Sequence, residues 1–299
     1  MAATTDHDAV TALAPVRLGP RAIGIACIVT LAALGWIYVG AMVANAMRAG
    51  AALGPGMGLL DAVLAGRFDA VGSALLDALC RPGFGQPGTL AAWTVEFALM
   101  VLMWAAMVLA MMLPTAAPMV LAYGELAETA AAARERVVSP LVLAAGYLTV
   151  WLGFAVVAAL LQRSLTALAL LDPGLVAVSP VISGAIFIGA GSYQFSPLKQ
   201  ACVTVCRQPF PYLLANWSTE PGKIFRLGVS QGVHCVGCCW ALMLVMLAVG
   251  VMNVVWMAGL GLVMAVEKLA GTARFSQAVG IVLIGMGAAT VAVSIVQRM

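Results

Sequence analysis

Seven stretches of this chain run apolar for roughly the 20 residues that an α-helix needs to cross the hydrocarbon of a bilayer. They are Arg21–Met47, Ala92–Leu121, Pro140–Leu161, Leu175–Phe195, Val229–Val249, Met252–Leu269 and Gln277–Val296. Only 9% of the residues are charged and 63% are hydrophobic, against about 25% charged in a soluble domain. The expected fold is all-α, a polytopic transmembrane bundle of about seven spans. The polar residues 1–20 form a tail, and 21–299 form one transmembrane domain. The first apolar run starts too late and is too long for a cleaved signal peptide, so it reads as a retained span. Residues 49–88 make an outer loop, and the weakly amphipathic stretch Leu59–Leu79 predicts an interfacial helix there, not a span. Pro114 and Pro118 interrupt the second span near its inner end. Spans five and six are separated only by Gly250 and Val251, which demands a tight hairpin or one bent unit.

Lys and Arg orient such a bundle, because cytoplasmic loops carry the excess. With the N-terminus inside and seven spans, Arg17, Arg21, Arg134, Arg136, Lys199, Arg207, Lys223, Arg226, Lys268 and Arg274 lie inside. Arg48, Arg67, Arg81, Arg163 and Arg298 lie outside, and the C-terminus is outside. The net charge of +3 is small and dispersed, so no basic face exists for nucleic acid. The 7 cysteines are odd in number and clustered, unlike a disulfide scaffold.

The run from His234 through Cys235, Cys238 and Cys239 concentrates the chemistry. At about 100° per helical residue, His234 at 0° puts Cys238 at about 40°, Cys235 at about 100° and Cys239 at about 140°. All four share one broad face at the head of an apolar helix. A second pair, Cys202 and Cys206, has the i, i+4 spacing that aligns two thiols on a helix. The topology brings both groups to the cytoplasmic end, where thiols stay reduced. Five thiols and an imidazole exceed the needs of one four-coordinate site, which implies two sites or ligand exchange along a path. Cys27 and Cys80 are isolated, and an isolated buried Cys packs as a small hydrophobe.

Methionine is patterned too. Met100, Met103, Met107 and Met111 fall within a stripe about 80° wide, and Met243 and Met246 continue the thiol face. Thioethers running on from thiolates suit Cu(I); ordinary packing is the alternative. Among ionisable groups, Glu96 reads as interfacial, and Glu267 and Lys268 read as snorkelling to the cytoplasmic interface. The proline run Met111–Met119 either lines a site or kinks the helix for packing.

The segments MMLPTAAPMVL, YQFSPLKQACVTVC, HCVGCCWALM and GVMNVVWMAGLGLVMAVEK resemble a bacterial family described as predicted metal-binding integral membrane proteins of unknown function. The resemblance runs from span two to span six. It implies a multi-pass protein of the bacterial inner (cytoplasmic) membrane with a metal site. The implied positions are Cys202, Cys206, His234, Cys235, Cys238 and Cys239, with Tyr193, Gln194 and Lys199 as further motif residues without a role.

Two readings follow. In the first, the protein binds or moves a soft transition metal, Cu(I) before Zn, through Cys202, Cys206, His234, Cys235, Cys238 and Cys239, with Met243 and Met246 beyond them. Its partners are then the lipid bilayer, the metal ion and a protein metallochaperone or membrane partner. No ATP-binding motif is present in the sequence, so movement is passive, partner-driven or proton-coupled, or the protein is a sensor or insertase-like chaperone. In the second, Cys235 and Cys238 form a redox pair that exchanges with Cys202 and Cys206, making a membrane thiol–disulfide oxidoreductase. Adjacent Cys238 and Cys239 beside His234 favour the metal, and an enzyme is the less expected outcome. No catalytic residue is assigned. With His7 and His234 as the only histidines, bis-His haem ligation would require the tail.

Overall fold

Prolines set most of the helix starts. Pro20, Pro140, Pro180, Pro197, Pro209 and Pro221 each open a helix, where the missing N–H is not needed and the fixed φ suits the first turn. Ser139, Ser179 and Ser196 precede three of them and accept a backbone N–H as caps. The computed structural model describes residues 19–48, 54–58, 90–171, 177–269 and 272–297. The polar tail up to residue 18, most of the outer loop with its expected interfacial helix, and Cys80 lie outside the described residues.

The helices are α1 Pro20–Arg48, α2 Leu90–Ala132, α3 Pro140–Ala167, α4 Pro180–Tyr193, α5 Pro197–Arg207, α6 Pro209–Ala215, α7 Pro221–Leu244, α8 Met246–Val249, α9 Val254–Leu269 and α10 Ala273–Val296. The architecture is all-α, and no β-strand occurs among the described residues. Five helical segments are long and apolar enough to cross a membrane: Pro20–Met47, Trp93–Ala132, Pro140–Ala167, Pro221–Val249 and Ala273–Val296. The expected fourth and sixth spans exist as α4 and α9, but with only 14 and 16 residues. At 1.5 Å per residue these reach about 21 and 24 Å, short of the roughly 30 Å hydrocarbon core.

Two further expectations are corrected. α2 runs unbroken through Pro114 and Pro118, because surrounding helices and hydroxyls can satisfy the groups that proline frees. The fifth span begins at Pro221, two turns before Val229, which moves the cysteine run from the head of the helix toward its middle. The connection before it is largely helical, as α5 and α6.

Packing is closest where glycines allow it. A Cβ on Gly228 of α7 would overlap the Leu143 carbonyl of α3, and one on Gly146 of α3 would overlap the Phe225 carbonyl. Small residues let membrane helices approach backbone to backbone, and here they draw Tyr147 of α3 against the cysteine-bearing turn of α7. α1 lies antiparallel to α2, with Arg21 at 3.7 Å from Glu125. Gly250, with φ of 106°, sits in the left-handed region open to glycine. There α8 turns into α9, and α9 returns until Lys268 reaches Cys235, so spans five and six form the hairpin.

Candidate metal centre

The two short helices end at the same depth. The last residue of α4, Tyr193, donates its hydroxyl to the Gly237 carbonyl of α7. Near the last residue of α9, Lys268 Nζ donates to Cys235 Sγ at 3.1 Å. Beside the middle of α7, past the ends of these two helices, α5 packs against it. Cys206 of α5 has its sulfur 4.0 Å from that of Cys238, and Cys202 lies against Gly237, where a Cβ would come within 2.6 Å of its sulfur. Both cysteine groups therefore meet at one place.

The sulfurs of Cys235, Cys238 and Cys239 all lie within 4.8 Å of one another, and all three residues are buried. Cys238 and Cys239 sulfurs are 3.2 Å apart, and the Cys238 thiol donates to the Cys235 carbonyl at 3.2 Å. Three thiolates around one ion at a metal–sulfur distance of about 2.3 Å would stand about 4 Å apart. The sulfurs, all within 4.8 Å of one another, stand at about that spacing. Outside the spans, burial pushes the Cys202 thiol up from its ordinary value. Hydrogen bonding to Cys235 pushes the Cys206 thiol up, with burial adding to it.

The polar surroundings were misread in the sequence. Glu267 and Lys268 do not snorkel; they are 1% and 6% exposed. Burial is tolerated because both find partners. Lys268 Nζ donates to Thr115 Oγ1 at 2.6 Å as well as to Cys235. Tyr147 OH lies 3.1 Å from Cys235 Sγ and donates to the Met112 carbonyl at 3.2 Å. Glu267 accepts from Lys199 Nζ at 2.8 Å with both side chains buried, and Arg207 donates to the Glu267 carbonyl. This pairing gives Lys199 a role: it ties α5 to α9. Gln194 is also buried, and its amide has no hydrogen-bond partner among the described residues. Lys268 is visible in the sequence as an ionisable group at the end of an apolar run, but its burial is not. Thr115 and Tyr147 left no signal, since single hydroxyls in apolar helices are common.

His234 is half-buried and stands outside the group of clustered sulfurs. Its Nδ1 donates to the Ser230 carbonyl at 2.7 Å, since a carbonyl can only accept. In the neutral ring Nε2 then keeps its lone pair. Met243 and Met246 are fully buried beyond the cysteines on α7 and α8, and Met100, Met103, Met107 and Met111 of α2 are buried too. On α9, Met257, Gly261, Met264 and Lys268 fall within an arc of about 60°. Gly261 faces Met111, and Lys268 faces Cys235 and Thr115, so this arc looks toward α2 and α7. The interior away from the thiols is thus rich in thioethers. At the far end of α2, Glu96 pairs with Arg163 at 3.1 Å, and the guanidinium lies over Trp93.

A family model described as PpoB2, copper chaperone, matches residues 101–290, more than half of the 299. The chain belongs to the PpoB2 family. This is the family, domain of unknown function 2182, that the sequence motifs resemble. The match covers α3 to α9 entire, most of α2 and α10, and every cysteine of the two groups. No curated protein and no solved structure matches the chain.

Proposed function

We propose that this PpoB2-family chain is a multi-pass protein of the bacterial inner membrane that takes up Cu(I) on its buried thiols and passes it along the thioether-rich interior. The observation that carries this reading is the convergence of Cys235, Cys238 and Cys239 within 4.8 Å, with Cys206 at 4.0 Å from Cys238. Soft sulfur donors select Cu(I) and Zn. The buried methionines past the cluster favour Cu(I), since Zn takes thiolate, imidazole and carboxylate but not thioether.

In this reading Cys235, Cys238 and Cys239 are the ligand core. Cys206 and Cys202 on α5 exchange with them, His234 stands on the approach, and Met243 and Met246 begin the onward path. Lys268 supplies a compensating positive charge. A Cu(I) ion held by these three thiolates carries two net negative charges, which is costly in a low-dielectric interior unless offset. An ammonium 3.1 Å from Cys235 offsets one of those charges.

The dithiol reading has one observation in its favour, the 4.0 Å approach of Cys206 to Cys238. Competition for Cu(I) between purified protein and a chelator separates the two. Cys239→Ser should weaken Cu(I) binding as strongly as Cys235→Ser if the thiols hold a metal. Unchanged metal content in both variants, with a Cys206–Cys238 disulfide trapped in cells, would establish the oxidoreductase instead.

A further inference from the structure

Arg226, Ser230, His234 and Cys238 recur every fourth residue along α7, and residues so spaced form one ridge of a helix. At the outer end of this ridge lies an open cleft of about 400 Å³ between α6 and the start of α7. Lys223, Arg226, Trp217, Tyr212 and Ser230 line it. Lys223 pairs with Glu220, whereas Arg226 has no ion pair among the described residues. Both cations are exposed. At the inner end, Tyr212 OH and Ser230 Oγ are 2.6 Å apart, the Tyr212 ring packs edge-on against His234, and His234 bonds the Ser230 carbonyl. One more turn reaches Cys238, whose sulfur meets Cys206 and Cys239.

We propose that this cleft binds a small anionic Cu(I)–thiolate complex and that the ridge hands its ion to the thiols. The inference rests on the Cu(I) reading above. Three features select that class of donor. The thiols are nearly inaccessible, Cys235 at 2%, Cys238 at 1% and Cys239 at 1% exposure, so a bulky carrier cannot reach them. The cleft has small-molecule size, and Arg226 and Lys223 match carboxylates. His234, with Nε2 free to ligate, stands between cleft and cluster. A Cu–S bond to the donor breaks as a Cu–N bond to His234 forms, and that Cu–N bond breaks in turn as a Cu–S bond to Cys238 forms. The Cys238 thiol proton passes to the donor thiolate released in the first step. Copper stays Cu(I) throughout.

The test uses the full chain in nanodiscs and two copper sources: Cu(I)–glutathione, which is anionic, and the Cu(I)–acetonitrile complex, which is cationic. Loss of a charge-assisted contact in Arg226→Gln and in Lys223→Gln/Arg226→Gln should slow transfer from Cu(I)–glutathione about tenfold. Transfer from the acetonitrile complex and the final copper content should hold. S-methylglutathione, which has no thiolate to offer, should bind the wild type and not Arg226→Gln by calorimetry. Equal rates in wild type and variants, or an equal loss from both sources, would overturn the proposal. So would loss of S-methylglutathione binding whenever the nanodisc contains phosphatidylglycerol, because the cleft would then belong to an anionic lipid headgroup. If the wild type accepts copper from neither source, the Cu(I) reading fails, and S-methylglutathione binding alone decides whether the cleft takes such anions.

Discussion

Two buried lysines stand close together in this bundle and meet different partners. Lys199 of α5 ends on the Glu267 carboxylate at 2.8 Å, and Lys268 of α9 ends on the Cys235 sulfur at 3.1 Å. The partners Glu267 and Lys268 are neighbours in sequence, so one turn of α9 presents a carboxylate to one helix and an ammonium to another. The carboxylate pair is closed, the Lys199 ammonium meeting Glu267 Oε2 while Oε1 has no hydrogen-bond partner among the described residues, and it fastens α5 to α9. The sulfur contact is open to exchange, because a metal can take the sulfur while the ammonium stays as counter-charge. On the proposed reading, the contrast separates a structural ion pair from a contact at the metal site.

Breaking the closed pair should cost most. Removing one partner of a buried ion pair leaves an uncompensated charge, worth about 3–5 kcal/mol. Glu267→Gln should lower the melting temperature sharply and expose Cys202 and Cys206 to thiol reagents. The double change Lys199→Met/Glu267→Leu should recover most of that stability, since an apolar pair of similar size is often neutral. Full recovery of stability with Cys206 still over-reactive would show that the pair sets the position of α5 and not merely its attachment.

The open contact should behave in the opposite way. Lys268→Met removes the ammonium and with it the hydrogen bonds to Cys235 and Thr115. The stability cost should be that of a lost hydrogen bond to a charged group, about 1.5–3 kcal/mol, less than that of Glu267→Gln. The Cu(I) affinity should fall further than the stability, measured by chelator competition. An unchanged affinity would remove Lys268 from the site.

Tyr147→Phe is the smallest perturbation. It deletes the hydroxyl shared by Cys235 and the Met112 carbonyl. A neutral hydrogen bond contributes about 1 kcal/mol, so thermal melts should shift slightly and copper content should hold. A large loss of copper would promote Tyr147 from packing neighbour to part of the site.

The sequence made the bundle legible because apolar length is a one-dimensional property, and the thiol groups because the spacings at 202/206 and 235/238/239 survive folding into helices. The depth of the cysteines was hidden. Pro221 starts α7 two turns earlier than hydropathy marks, since Lys223 and Arg226 mask the first turns. The buried lysines were hidden for a related reason. Lys268 sits at the end of an apolar run, where a snorkelling side chain and a buried one have the same sequence. What distinguishes them is that Lys268 of α9 packs against Cys235 of α7 and Thr115 of α2, a fact of three dimensions. His234 shares the broad face seen on the helical wheel, yet its ring is bound back to Ser230, an interaction with its own helix that the wheel does not record.

The central claim is that Cys235, Cys238 and Cys239 hold Cu(I). X-ray absorption at the copper edge of protein loaded with Cu(I) tests it most directly. An all-sulfur first shell is predicted for the wild type, converting to a mixed shell or losing copper in Cys235→Ser, Cys238→Ser and Cys239→Ser. A shell dominated by nitrogen or oxygen, or a sulfur shell unchanged in all three variants, would contradict it.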